Sequence, residues 1–196
     1  MRLQVLMAST VAMMSMAANA EVLSWQGVGP VRLGMTVAQA ERALNAKLAP
    51  VALPFSKECY VTARADGKDA ALSYVIVNAK IVVMTVFLRG YRQPNPNIVD
   101  ANGIGVGSTE ADIRRGYEGV KKELAPDFSE SEEDLAEAAK ERARHGITEP
   151  EPSPQYRIIV ESPDHRRAII FQTENEKVLH LRLGLKPDVM SSEDCI

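Results

Sequence analysis

Histidine is scarce in this chain, and the scarcity removes most familiar reaction centres. His145, His165 and His180 are the three present, and none stands at ligand-like spacing from another histidine, a cysteine or a carboxylate, so no metal site is expected. Gly-x-Ser-x-Gly is absent. Serines near His165 or His180 can be drawn into a triad on paper, but chance supplies such neighbours. Asp164 beside His165 falls in an expected hairpin turn, where turn chemistry accounts for it. Gly103, Gly105 and Gly107 alternate ahead of a helix start, yet no Walker lysine follows and the Gly-x-Gly-x-x-Gly spacing fails. These glycines are read as turn residues. No catalytic residue, no cofactor and no metal are expected, and the chain is read as not an enzyme.

An excess of positive charge is missing too. The 23 Lys and Arg are outnumbered by 26 Asp and Glu, which argues against a nucleic-acid or anionic-membrane binder, since either wants a basic surface. Aromatic residues make up 5% of the chain, so a core must rest on Val, Ile, Leu and Ala. Cysteine is limited to Cys59 and Cys195.

The first twenty residues read as an export signal. Arg2 supplies a positive charge, residues 3–16 are mostly apolar and uncharged, and Ala18-Asn19-Ala20 is a small-x-small cleavage site. The apolar stretch is too short to span a membrane comfortably, and no cysteine follows the cut to accept a lipid. The mature chain is expected to begin at Glu21, periplasmic or secreted, with no membrane span and a net charge of about −4 from 22 basic and 26 acidic residues. In an oxidising compartment an even pair of cysteines is more often bridged than free. Neither cysteine has a neighbouring histidine or second cysteine to suggest a catalytic thiol or a metal ligand. A Cys59–Cys195 disulfide is therefore expected, tying the carboxyl terminus onto the first half.

The mature chain is organised around the stretch Arg32-Leu33-Gly34-Met35-Thr36-Val37. Thr36 is placed to cap a helix, and Gln39 completes a capping box. A second start of this kind, Gly107-Ser108-Thr109-Glu110-Ala111-Asp112, follows 73 residues later. Gly34 and Gly107 sit two residues ahead of the caps, where a sharp turn calls for positive φ. Val37, Ala40, Leu44 and Leu48 then recur at helical spacing, as do Ile113, Tyr117, Val120 and Leu124. Each helix offers one apolar stripe that needs a sheet beneath it.

From Cys59 to Leu88 the period drops from 3.6 to 2. A strand from Tyr60 is followed by the turn Asp66-Gly67-Lys68-Asp69, and residues 72–77 and 81–88 form a hairpin around Asn78-Ala79-Lys80. The run returns near the end in residues 156–161, 168–173 and 177–185, with turns at Ser162-Pro163-Asp164-His165 and Glu174-Asn175-Glu176. Asn78 and Lys80 match Asn175 and Lys177 at an offset of 97, and Val82, Met84 and Val86 match Leu179, Leu181 and Leu183. The pattern reads as two copies of helix-then-meander. His180 and Arg182 lie between the leucines, so one face of the second hairpin is expected to be wet. The first hairpin, with Val83 and Thr85 in those places, should be covered on both faces by the other copy or the insertion, or else present a partner face. The growth in offset marks an insertion over residues 121–154. Within it Ser131-Glu132-Glu133-Asp134 opens a helix that ends near Gly146 and carries Leu135 and Arg142, either solvated or docked on a partner.

Leu33-Gly34-Met35-Thr36 with Ala40 and Leu44, and the stretch from Gly105 to Asp112, resemble the glycine, Met-Thr, amphipathic helix and meander of BLIP-like and BamE-like bacterial envelope domains. The tandem form, with a cysteine before the first meander strand and another at the carboxyl end, is also similar to a group of secreted proteobacterial proteins. The resemblance spans nearly the whole mature chain through short structural motifs. It departs at the 121–154 insertion, at Ser108 where Met stands in the pattern, and in lacking a lipid-acceptor cysteine, which weakens a role like that of BamE in outer-membrane assembly. The resemblance implies a helical layer on one side of an antiparallel sheet and action by binding other proteins. The β-lactamase inhibitor protein uses its sheet face in this way against an enzyme.

The expected fold is α+β, BLIP-like: two tandem helix-plus-antiparallel-meander repeats over residues 21–100 and 101–196, with a helical insertion in the second. The expected function is a non-catalytic periplasmic protein-binding module, an inhibitor or immunity-type factor for an envelope enzyme. An envelope-assembly or maintenance factor resembling BamE is the alternative, and a hydrolase a distant third. The partner is expected to be another envelope protein, and the candidate contact residues are His180, Arg182, Leu135 and Arg142. Amino-terminal sequencing of the exported protein should read Glu21-Val22-Leu23; an exported chain that retains residues 1–20 would remove the argument for compartment.

Overall fold

The computed structural model describes residues 21–51, 56–68, 71–87, 98–126, 140–141, 144, 153–191 and 195. The export segment and most of the expected inserted helix lie outside the described residues. In chain order the elements are β1 (Glu21–Ser24), β2 (Gly27–Val28), β3 (Val31–Arg32), α1 (Val37–Leu44), β4 (Leu48–Pro50), β5 (Cys59–Arg64), β6 (Leu72–Val77) and β7 (Lys80–Phe87). There follow β8 (Ile98–Asp100), α2 (Glu110–Gly116), β9 (Lys121–Leu124), β10 (Gln155–Glu161), β11 (Arg167–Glu174), β12 (Lys177–Leu185) and a 3-10 turn at Asp188–Met190. The fold is α+β, and its sheets are antiparallel except where β1 runs parallel to β8.

Both helices begin as their capping residues dictate. Thr36 Oγ1 accepts from the Gln39 amide at 3.3 Å, and Gln39 Oε1 accepts from the Thr36 amide at 2.8 Å. At α2 the Asp112 amide donates to Thr109 Oγ1 at 3.2 Å, and the Thr109 amide donates to Asp112 Oδ2 at 2.9 Å. Gly34 and Gly107 take φ of +83° and +87°, a conformation open to glycine at little cost. That turn lets the backbone ahead of each helix pair with a long strand. The Gly34 amide donates to Ile81 O and the Ile81 amide to Met35 O, both at 2.8 Å. The Gly107 amide donates to Val178 O at 2.8 Å and the Val178 amide to Ser108 O at 2.9 Å.

Eight strands form one sheet in the order β4-β5-β6-β7-β12-β11-β10-β9. At its centre Thr85 faces Arg182, Met84 faces Leu183 and Val86 faces Leu181. Both flanking hairpins turn on two left-handed residues, Asn78 and Ala79 in one and Asn175 and Glu176 in the other, the geometry that matches strand twist. Each hairpin also carries a register shift. Val75 faces Val83 but Ile76 faces Ile81, and Gln172 faces His180 but Thr173 faces Val178. The inward alternation therefore runs Ile81, Met84, Val86 and Val178, Leu181, Leu183, whereas plain alternation would start it at Val82 and Leu179. One extra residue in a strand flips the side chains that follow it.

One face of this sheet is covered by α1, α2 and a small sheet ordered β3-β2-β1-β8. Leu23, Val31, Ala40 and Ile113 from that cover pack with Tyr74, Ile81, Met84, Phe171 and Leu181. The opposite face is covered in part by the carboxyl-terminal segment. Val189 and Cys195 pack with Val75, Val82, Val83, Ile159 and Ile170. Val83 is thus buried, as expected for the first hairpin, but the carboxyl end of the chain contributes to its cover. Gly184 makes the closure feasible, because a Cβ there would lie 2.8 Å from both Val189 Cβ and Val82 O.

Cys59 and Cys195 are joined in a disulfide, with Cα atoms 5.2 Å apart and 136 residues between them in sequence. The bond is compatible with an extracytoplasmic location. Among the described residues no helix is long and apolar enough to cross a membrane.

Glu110 fastens α2 to the sheet. It is 8% exposed, and its carboxylate accepts from Lys122 Nζ at 2.8 Å and Thr173 Oγ1 at 2.6 Å. Burial pushes its pKa up, but the Lys122 and Thr173 hydrogen bonds and the charges of Lys122 and Arg114 outweigh that, leaving it below 4.5. A carboxyl with a depressed folded-state pKa adds stability above its unfolded pKa, and this is lost as pH falls through the folded value.

Two outcomes follow from these contacts. Replacing Cys59 and Cys195 together by serine should lower the urea-unfolding free energy by about 4–5 kcal/mol, the chain-entropy value for so long a loop. An unchanged midpoint would show the bond to be dispensable. Glu110→Gln should cost about 1–3 kcal/mol at neutral pH and flatten the loss of stability below pH 4.5; an acid limb as steep as that of the native chain would contradict this role.

Candidate functional site

The site forms where three neighbouring strands turn a row of side chains away from the helices. Arg157 on β10 stands opposite Gln172 on β11, and Gln172 stands opposite His180 on β12. Residues directly opposite across antiparallel strands share a face. The row continues to Glu123 on β9 and Phe87 on β7. One rung closer to Gly184, Arg182 lies beside Ile170. Arg157, Gln172, His180, Arg182 and Ile170 line a cavity of about 100 Å³ that is completed by Pro126, Val189 and Ser191.

The arginines are held in place by the carboxyl-terminal segment. Arg157 Nη1 donates to Met190 O at 3.1 Å, and Arg182 Nη1 donates to Ser191 O at 2.9 Å. The second Nη of Arg157 pairs with Glu123, which Lys121 also approaches. Lys121 and then Arg157 hold the Glu123 carboxyl below its usual range. Gln172 Nε2 donates to Gln155 Oε1. Arg157 Nε is buried and has no hydrogen-bond partner among the described residues. Arg182 is 8% exposed, so its charge sits in low-dielectric surroundings and acts strongly at short range. Two guanidinium groups, an imidazole and an amide beside apolar walls form a donor-rich recess suited to an anion.

The same sheet face offers a contrast. On the far side of the Thr85–Arg182 pair, the row Val61-Val75-Val83 meets Gly184. Those three valines are apolar, and the disulfide and Val189 pack in the same cluster. The row Arg157-Gln172-His180 is its polar counterpart.

His180 and Arg182, picked out in the sequence, are both brought to this cavity, while Leu135 and Arg142 lie outside the described residues. Arg157 and Gln172 complete the site and were not picked out. Their signal was strand alternation combined with hairpin register, and the extra residue at Leu179 obscures that register when it is counted back from the turn. His165 stands in the exposed β10–β11 turn, 2.7 Å from Glu161, at the other end of those strands from the Arg157 row. Among the described residues no three of His, Cys, Asp and Glu gather in a way that could hold a metal ion.

No protein-family profile matches the sequence, and no curated protein matches it either. Among solved structures the chain is similar to a DUF4309 family protein, YjgB, from Bacillus subtilis subsp. subtilis strain 168. The two are 12% identical with a TM-score of 0.44, over 85% of this chain and 88% of that one. Likeness at this level carries no functional conclusion.

Proposed function

We propose that this protein is a non-catalytic binding module of the bacterial envelope, built from two copies of one helix-plus-meander unit, and that the outer face of β10–β12 is its contact surface for another envelope protein. The observation that carries the reading is the contrast between the two rows on that face. Where one row closes on Val61, Val75 and Val83, the matching places hold Arg157, Gln172 and His180, of which Arg157 also braces the Met190 carbonyl. Half-buried polar side chains set together beside a cavity, where apolar ones close the matching row, support a contact role.

Support for two copies comes from reciprocity at the sheet centre. At the offset of 97, Thr85 corresponds to Arg182, Met84 to Leu181 and Val86 to Leu183. Thr85 faces Arg182, while Met84 faces Leu183 and Val86 faces Leu181, the exchange expected at a two-fold contact between like surfaces. The extra residue in each hairpin, Val82 or Leu179, also falls at that offset. Resemblance to BLIP-like domains, in which a sheet face meets an enzyme, agrees with a role as an inhibitor or immunity-type factor. The signal-like amino terminus and the disulfide support a periplasmic setting.

The test is capture. Immobilised mature protein should retain a stoichiometric protein from periplasmic extract, and a variant with His180→Val and Gln172→Val should lose at least nine-tenths of it. No retained partner, or one held equally by the variant, would count against the reading. Retention of outer-membrane components alone would move the assignment to envelope assembly.

A further inference from the structure

The two ends of the eight-stranded sheet are finished differently. At β4 the Val51 amide donates to Val61 O and the Ala65 amide to Lys47 O, so by the alternation of an antiparallel ladder Leu48 and Pro50 turn their backbone groups away from β5. Neither offers a donor there. Pro50 has no N–H, and the Leu48 amide donates to Glu41 Oε1 at 3.1 Å. At β9 the Ala125 amide donates to Gln155 O, so Lys122 and Leu124 point their backbone groups away from β10. Among the described residues no strand pairs with that side of β9, and both residues carry an N–H. Bare edges of this kind pair with other chains.

We infer that β9 pairs antiparallel with β9 of a second copy of this chain, across a two-fold axis at Lys122, so that the two eight-stranded sheets run on as one. The edge itself names the occupant. About Lys122 the stretch Val120-Lys121-Lys122-Glu123-Leu124 is complementary to its own reverse. Lys121 faces the second copy's Glu123 at two equivalent places, and Leu124 meets the second copy's Val120. Opposite charges set across antiparallel strands favour pairing and like charges oppose it. A register centred on Glu123 instead sets two carboxylates against each other. On the axis each Lys122 is committed to its own chain, with Nζ 2.8 Å from Glu110 and 3.9 Å from the centroid of the Tyr156 ring, so the two ammonium groups are held apart. The contact is isologous and four residues long on each side, which makes the association weak and reversible.

The test is sedimentation equilibrium of the mature protein up to about 1 mM, where so short a contact becomes populated, with amide hydrogen exchange followed over the same concentrations. Native protein should pass reversibly from one chain to two, and the Lys122 and Leu124 amides should slow as the dimer forms. Lys121→Glu, at a side chain 71% exposed, sets a carboxylate against Glu123 at both places and should weaken association about fivefold or more. Lys80→Glu, the same change of charge at the exposed β6–β7 turn, should leave it unchanged. Leu124→Pro, which removes an outward N–H and spares the β9–β10 ladder, should weaken it too. A single chain at every concentration, or native association in Lys121→Glu, would overturn the inference. So would slow exchange of both amides in the dilute monomer, which would show the edge to be covered within one chain. Loss of a captured envelope protein in Leu124→Pro without any self-association would assign the edge to that partner's strand instead. The dimer and the binding module fail separately, since a protein that captures nothing can still pair through β9.

Discussion

The pairing of β7 with β12 is the interaction on which the rest of the molecule depends. It joins β4–β7 to β9–β12 in one eight-stranded sheet, and without it each half would present a long apolar edge strand to solvent. Such edges recruit other chains. Here each covers the other, and Met84, Val86, Leu181 and Leu183 are fully buried as a result. The register resists a slip by one residue, because it would turn the buried pair of whichever strand moved, Met84 with Val86 or Leu181 with Leu183, to the outer face.

From that centre the two faces diverge. The inner face is filled by helices whose starting turns are stitched to the first residues of the long strands, so helix position follows strand position. Among the described residues the outer face receives a short carboxyl-terminal turn, seated on Gly184 because no side chain could fit there. The turn divides that face into an apolar part, closed by Val189 and the disulfide, and a polar part, where Arg157 and Arg182 hold the turn by its carbonyls. The same two arginines therefore brace the chain end and charge the recess next to it.

How much could be read from the sequence depended on how local the determining interactions were. Thr36 with Gln39 and Thr109 with Asp112 act within a single turn, and both helix starts were legible. So were the six long strands, whose alternation is a property of the strand alone. The cysteine pair was legible from compartment and count. The extra residues at Val82 and Leu179 were not, since what places them is pairing across the sheet, and plain alternation passes smoothly through them. Nor was the role of Val189, whose neighbours Val75, Val82 and Val83 lie more than a hundred residues earlier. His180 and Arg182 stood out because charge interrupted a leucine ladder. Arg157 and Gln172 sit on two further strands and became meaningful only once the register was known.

The bond between Cys59 and Cys195 links the opening of the first meander to the segment that follows β12. The loop it closes contains every element from β5 to the 3-10 turn. A reducing agent therefore acts on both borders of the outer-face cover at once, loosening the start of β5 and the seat of Val189 in a single step.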